Sequence, residues 1–256
     1  MSKNNFKVMV SLVAQAFAKF TSDTFFNGKI KVLQPINGYR FSIDSVILTG
    51  FSHPPPGATV LDLGTGCGII PLILGYRFPS LRLIGVELQD SLAQLANENI
   101  QRNGMVDRIS ILCQDFCNLS LNVFGKAVDY IITNPPYRPI TSGRINPHSQ
   151  KALARHELAM TLSQLLTTAR NLLRIGGRFI MIYPSERLAD VIFQMRQKEI
   201  EPKRLYTIFS KKNEPAKLVV IEGIRAARPG IQELSSFVIY SSNGEYTKEM
   251  DQMFME

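Results

Sequence analysis

Val60-Leu61-Asp62-Leu63-Gly64-Thr65-Gly66-Cys67-Gly68-Ile69-Ile70-Pro71 decides the fold, because it reads as a strand, a glycine loop and the first turn of a helix. A short apolar run enters Gly64, Gly66 and Gly68, and Ile69, Ile70, Leu72, Ile73 and Leu74 carry on as a helix. Glycines let the main chain turn sharply and let a ligand approach it without meeting a Cβ. The spacing is G-x-G-x-G, not the G-x-G-x-x-G of nicotinamide-binding loops. Asp62 would repel a pyrophosphate and suits a cationic, amino-acid-like ligand better. A lone loop of this kind is a weak signal, since many α/β proteins carry one for structural reasons.

Downstream punctuation strengthens it. Leu83-Ile84-Gly85-Val86-Glu87 is a second strand ending in a carboxylate, where ribose hydroxyls are gripped in nucleoside-binding α/β folds. Ile109-Ser110-Ile111-Leu112 is a third, followed by Cys113-Gln114-Asp115-Phe116. There Asp115 can accept from an adenine amine and Phe116 can pack on the ring. Val128-Asp129-Tyr130-Ile131-Ile132-Thr133 is a fourth, stopped by Asn134-Pro135-Pro136-Tyr137. The prolines lack amide donors and fix φ, so the chain leaves the sheet in one rigid conformation. Asn-Pro is a common strand end. Here the turn also presents an amide oxygen, a bare carbonyl and an aromatic ring at the edge where open α/β sheets bind ligands. The Asn134 oxygen and a Pro135 or neighbouring carbonyl can accept both hydrogens of a planar amino group while Tyr137 stacks on its ring. That group is the exocyclic amine of a base or an amide.

These residues resemble the class I S-adenosylmethionine-dependent methyltransferases, in the branch that methylates amino groups through an Asn-Pro-Pro-Tyr motif. Gly38-Tyr39-Arg40-Phe41-Ser42-Ile43-Asp44, Arg155-His156-Glu157 and Lys217-Leu218-Val219-Val220-Ile221-Glu222-Gly223 narrow the resemblance to the bacterial tRNA1(Val) (adenine-N6)-methyltransferase family. It covers the chain from about Phe25 to about Tyr246. It implies a Rossmann-like α/β fold with a mostly parallel seven-stranded sheet and helices on both faces. It implies S-adenosylmethionine as cofactor, bound by Asp62, Gly64, Thr65, Gly66, Gly68, Glu87, Leu88, Asp115, Phe116 and Asn134. Arg40 and Asp44 would pack over it, although an Arg–Asp pair equally suits a structural role. Asn134, Pro135, Pro136 and Tyr137 would be catalytic, with N6 of a tRNA adenine beside the anticodon as acceptor. No metal is implied.

Further elements fit one domain from 25 to 256 after an extension, 1 to 24, that is disordered or helical. Ser91 to Ile100 has helical spacing, with Leu92, Leu95, Ala96 and Asn99 on one face. Thr161 to Leu173 reads as a helix ended by Gly176-Gly177, and Arg178 to Tyr183 as a strand. Leu205 to Phe209 and Leu218 to Glu222 resemble the closing strand pair of the methyltransferase sheet. At 256 residues and 45% apolar content the chain can bury a substantial core. Lys3 and Lys7 before Val8 to Ala18 superficially match a secretory leader. A cytoplasmic cofactor and substrate argue instead for an appendage or an upstream start, and for a cytoplasmic protein. That run is too short to span a membrane.

The formal charge is +8. Arg138, Arg144, Lys151 and Arg155 follow the proline turn, and Arg196, Lys198, Lys203, Arg204, Lys211, Lys212 and Lys217 come later. Basic clusters are usually solvated surface, but around a nucleobase site they favour phosphate contacts with tRNA. Arg138 to Gln150 is rich in Pro, Gly, Ser and Arg, which suits a mobile substrate loop. Cys67, Cys113 and Cys117 have no zinc or disulfide spacing; Cys67 and Cys113 are expected to be small buried residues beside the cofactor pocket. His53 and His148 read as loop residues, and His156 has no companion for a metal site. No obligate protein partner is evident. Rivals are a protein-glutamine methyltransferase, for which too few residues precede Asp62 to build a helical substrate domain, and a DNA adenine methyltransferase, for which no target-recognition domain is seen. A non-catalytic RNA-binding module needs no amine-orienting turn.

Overall fold

The computed structural model describes residues 20–36, 40–136 and 162–255. An N-terminal hairpin of β1 (Phe20–Phe25) and β2 (Ile30–Pro35) leads into helix α1 (Ile43–Gly50). Residues 20–24, assigned above to the extension, therefore form most of β1. Then β3 (Thr59–Leu63), α2 (Ile69–Arg77), β4 (Arg82–Glu87), α3 (Asp90–Arg102) and β5 (Ile109–Cys113) alternate. A short helix α4 (Leu121–Phe124) precedes β6 (Val128–Thr133). After α5 (Leu162–Leu172) come β7 (Leu173–Pro184), α6 (Leu188–Gln197), β8 (Ile200–Phe209) and β9 (Ala216–Arg225). The chain closes with β10 (Gln232–Glu233), β11 (Phe237–Val238) and α7 (Lys248–Met255).

The long strands lie in the order β5-β4-β3-β6-β7-β9-β8, all parallel except β9. The expected seven strands are thus present. Two two-residue strands, β10 and β11, add alongside β8 and bring the sheet to nine. Strand order reverses between β3 and β6, so a crevice opens there outside the carboxyl ends, the place such sheets bind ligands. Helices cover both faces. Val46, Ile47, Leu48, Leu72, Ile73, Leu92 and Ile100 of α1 to α3 pack on one, and Leu165, Leu166, Val191 and Met195 of α5 and α6 on the other.

One boundary differs from the sequence expectation. Helix α5 stops at Leu172, and Leu173 already pairs with Val128 of β6. The next pair is Tyr130 with Arg178, so the stretch between bulges out of the ladder, with Gly176 at φ +74°. The Gly-Gly pair read as a helix stop serves that bulge. Arg174 braces it with an ion pair to Asp129, 2.7 Å.

The hairpin is held by side chains that take the part of a strand. Fully buried Asn99 accepts from Leu33 N–H (2.8 Å) and donates to the Leu33 carbonyl (3.0 Å) and to the Cys67 carbonyl in the glycine loop (2.9 Å). One turn on, Asn103 makes the same two bonds to Lys31. Truncation at Asn99 leaves three buried main-chain groups unpaired, at about 1–3 kcal/mol each. Asn99→Ala is expected to lower the unfolding free energy by about 3 kcal/mol or more in chemical denaturation and to speed exchange of the Leu33 amide. A loss under about 1 kcal/mol with Leu33 still protected would contradict the clasp.

Candidate active site

Two sequence motifs 70 residues apart meet because β3 and β6 are neighbours. Asp62 lies beside Ile132, and the buried Thr133 hydroxyl donates to the Leu63 carbonyl, 2.7 Å. On the other side Asp62 lies beside Gly85 and Leu63 beside Val86, while Glu87 lies beside Cys113 of β5. The Gly64 loop, Glu87-Leu88, Gln114-Asp115 and Asn134-Pro135 therefore all leave the sheet at one edge.

The glycine loop folds back over β4: Gly64 and Thr65 N–H both donate to the Val86 carbonyl at 2.9 Å. Gly64, Gly66 and Gly68 all have positive φ. Gly68 caps α2, where a Cβ would also meet the Ala96 Cβ at 3.2 Å. Gly85 is required for another reason, since a Cβ there would stand 2.8 Å from Thr65. Around the Cβ position of Gly64 there is open space.

Glu87, 6% exposed, accepts from Gly66 N–H (2.8 Å) on one oxygen and Gln89 N–H (3.0 Å) on the other. Burial raises its pKa, opposed by these amides and that of Leu88. Each oxygen keeps acceptor capacity for a hydroxyl. Asp62 is 1% exposed, and neither of its oxygens nor the Thr65 hydroxyl completes a hydrogen bond among the described residues. Burial pushes Asp62 from its ordinary 3.8 to about 7; the nearby Thr65 hydroxyl opposes the shift without a bond of good geometry, and Glu87 adds to it. A buried carboxyl with no bonding partner among the described residues, beneath an open glycine loop, can accept from a cationic group placed over that loop.

On the far side of the crevice Asn134 is half-buried, Pro135 buried and Pro136 exposed. Asn134 Nδ2 donates to the Ser45 hydroxyl, 3.0 Å, which turns the amide oxygen the other way. Ser45 is buried in α1. Sequence reasoning missed it, because nothing local links it to a residue 89 positions away.

Leu88 is exposed and Phe116 half-buried; half-buried Asp115 accepts from Cys117 N–H at 2.8 Å, capping a turn of 3-10 helix. Asp44 sits in the first turn of α1. Arg40 engages the hairpin: it donates to the Thr21 hydroxyl (2.6 Å) and the Pro35 carbonyl (3.2 Å) and pairs with Asp23 (3.2 Å). Arg40 thus has a structural partner in the hairpin, Asp23, the kind of Arg–Asp pair the sequence left open as the alternative to packing over a cofactor. Cys67 is buried as expected, but Cys113 is exposed. It ends β5, which lies at the margin of the sheet among the described strands. Tyr137, Arg138, Arg144, Lys151, Arg155 and His156 lie outside the described residues, as does the segment from Arg138 to Gln150. Among the described residues no cluster of His, Cys, Asp and Glu could hold a metal, and no helix is long and apolar enough to cross a membrane.

Comparison with known proteins places this edge in context. The methyltransferase small domain family matches residues 44–201. A tRNA1(Val) (adenine(37)-N6)-methyltransferase of Porphyromonas gingivalis is 30% identical over 219 residues, covering 82% of this chain and 85% of the relative. Among solved structures, a predicted O-methyltransferase from Agrobacterium tumefaciens superimposes with a TM-score of 0.66 at 16% identity, over 82% of this chain and 94% of that one. A geranyl diphosphate methyltransferase in complex with S-adenosylmethionine does so at 0.51 and 14%, over 71% and 84%. At these identities the two structures speak for the fold alone.

The Asp62 environment has a measurable sign. An acid raised on folding binds its proton more tightly in the folded chain, so burial of Asp62 is harmless near pH 4 and destabilising as pH rises toward 7. Asp62→Asn is expected to match the wild type in unfolding free energy near pH 4 and exceed it at pH 8 by up to about 4 kcal/mol, at about 1.4 kcal/mol per pKa unit. Denaturant titrations at both pH values check this; a difference that does not grow with pH would refute a buried, unpartnered carboxyl.

Proposed function

The chain belongs to the methyltransferase small domain family and to that of the tRNA1(Val) (adenine(37)-N6)-methyltransferases, and on that premise we propose that it methylates N6 of an adenine in tRNA, beside the anticodon of tRNA1(Val), with S-adenosylmethionine as donor. The observation that carries this reading is the common edge: an amide oriented by Ser45 stands across a strand boundary from a buried, unpartnered carboxyl under a glycine loop.

The residues suit the cofactor. Asp62 and Thr65 leave three buried oxygens unbonded, and the space over Gly64 admits a ligand against the main chain. In this reading Asp62 balances the cationic amino-acid end, Glu87 accepts from ribose hydroxyls, and Leu88, Asp115 and Phe116 hold the adenine. When bound, S-adenosylmethionine supplies a methyl group already activated on a sulfonium, so the chain's own residues chiefly position and desolvate.

The adenine amine is a poor nucleophile because its lone pair is delocalised into the ring. With both hydrogens accepted by Asn134 Oδ1 and a carbonyl of the proline turn, the nitrogen pyramidalises and its lone pair is aimed. Ser45, by accepting from Asn134 Nδ2, fixes the orientation of the amide. Pro135 offers a carbonyl with no competing N–H of its own. Tyr137 stacks on the extruded base, the general requirement for chemistry on a nucleobase. The nitrogen gains the methyl and afterwards releases one proton to solvent, so no strong general base is required. This reading carries a cytoplasmic setting, where cofactor and tRNA occur together.

Incubation with labelled S-adenosylmethionine and, in parallel, total tRNA, total protein and plasmid DNA tests the substrate. Label is expected in tRNA at a single adenine; label in protein glutamine or in DNA instead would overturn the assignment. Asn134→Ala is expected to keep cofactor affinity within about twofold and to lose roughly 10²–10³ in turnover, the range for removing one pre-oriented polar group. Ser45→Ala should lose about tenfold in turnover with cofactor affinity equally preserved, read by single-turnover kinetics and calorimetry. Wild-type turnover in Asn134→Ala would remove it from the mechanism.

A further inference from the structure

Basic residues late in the chain divide between the two ends of the sheet. Arg196 and Lys198 close α6, and Lys203 and Arg204 lie in the first half of β8, at the amino edge away from Asn134. Arg196 pairs with Glu201, and Arg204 stands 3.9 Å from Glu222. Lys211, Lys212 and Lys217 are elsewhere. Phe209 lies beside Ala216 and Leu218 beside Pro184, so the turn joining β8 to β9 overhangs the last residue of β7. Thr133 lies beside Met181, so that overhang shares the edge with Asn134 and Pro135.

All three lysines are exposed, and no ion pair among the described residues involves them. Exposed Glu214 in the same turn and exposed Glu186, beside the Ser185 that bonds its base, are the acids next to them, and Arg187, three residues past β7, is paired by Asp190. The base of the turn is firmly held. Ser185 donates to the Ala216 carbonyl, while Ile239 and Tyr240 N–H donate to the Phe209 and Ser210 carbonyls at 2.9 Å. On the other side of Asn134 the same edge is acidic: Asp62, Glu87, Asp90 and Asp115 end or follow β3, β4 and β5. The edge is thus polarised, with a floor for a cationic donor at one end and an unpaired cationic ledge at the other. β6 and β8 are three strand spacings apart, roughly 14 Å at about 4.8 Å each. That spans about four nucleotides of a stacked strand at about 3.4 Å per phosphate.

We propose that the Lys211, Lys212 and Lys217 ledge is an RNA-docking surface that seats backbone phosphates flanking the target adenine, an inference that rests on the tRNA reading above. Its work is sequence-independent: it fixes where the strand lies so that one base reaches Asn134.

The test uses the full chain and wild-type-active tRNA. The triple variant Lys211→Ala, Lys212→Ala, Lys217→Ala is expected to raise the tRNA Kd about tenfold or more and to reduce the salt slope of binding by about 2, at about 0.7 per single-strand phosphate contact. The loss should appear in the KM for tRNA rather than in kcat, with S-adenosylmethionine affinity intact. Glu214→Lys should tighten tRNA binding severalfold, a gain that misfolding cannot imitate. Lys126→Ala, an exposed lysine before β6 at the opposite edge, should change neither Kd nor slope. Unchanged tRNA affinity and salt slope in the triple variant, with the wild type methylating tRNA, would overturn the ledge and leave the function standing. A wild type that methylates no tRNA would overturn both.

Discussion

The parallel pairing of β3 with β6 is the constraint on which everything at the edge depends. It brings Asp62 level with Ile132, and the Thr133 hydroxyl locks the ends of the two strands through the Leu63 carbonyl. A one-residue slip would turn every side chain of β6 to the opposite face and carry Asp129 away from the Thr59 N–H and Arg174 that it accepts from. Both faces of this sheet are packed with apolar side chains, so the register is set by the whole core and not by that one bond. The reversal of strand order at this seam divides the edge in two. The acidic half is built from β3 to β5, and the half with the proline turn and the β8–β9 overhang is built from β6 to β9.

Within that frame polar groups are positioned at a cost. Asp62 is kept in the apolar interior with no bonding partner among the described residues, and burial resists its ionisation. Burial raises the Glu87 pKa too, but there the main chain of the loop and of Gln89 turns two amides toward the carboxylate and opposes the shift. Asn134 is oriented from outside its own motif, by a serine on a helix that lies before the first core strand. The site therefore joins a stiff frame to a few groups whose charge or orientation is left for a ligand to complete.

What could be read from the sequence follows from the distance over which each feature is determined. Strands such as Val128 to Thr133 and Leu83 to Glu87 were legible because apolar runs stopped by Pro or by a carboxylate are local patterns. The glycine loop was legible for the same reason. Cys113 was misjudged because its exposure depends on β5 lying at the margin of the sheet, a property of strand order. Gly176-Gly177 was misread because a helix stop and a strand bulge both use glycine, and only the pairing of Leu173 with Val128 separates them. Arg40 stood near Asp44 in sequence, yet its carboxylate partner is Asp23 across a hairpin that the residue pattern did not reveal. Ser45 and Asn99 were silent, since their partners lie 89, 66 and 32 positions away.

The asparagines of α3 have a consequence for how copies of this chain behave beside one another. A two-stranded ribbon is marginal by itself, and its outer strand normally presents a free row of donors and acceptors that can recruit a foreign strand. In β2 the Lys31 and Leu33 groups of that row are already taken, by Asn103 and Asn99. The helix thus acts as a plug against templated aggregation along that margin, a protection conferred by two amides rather than by the charges or prolines that guard most sheet borders.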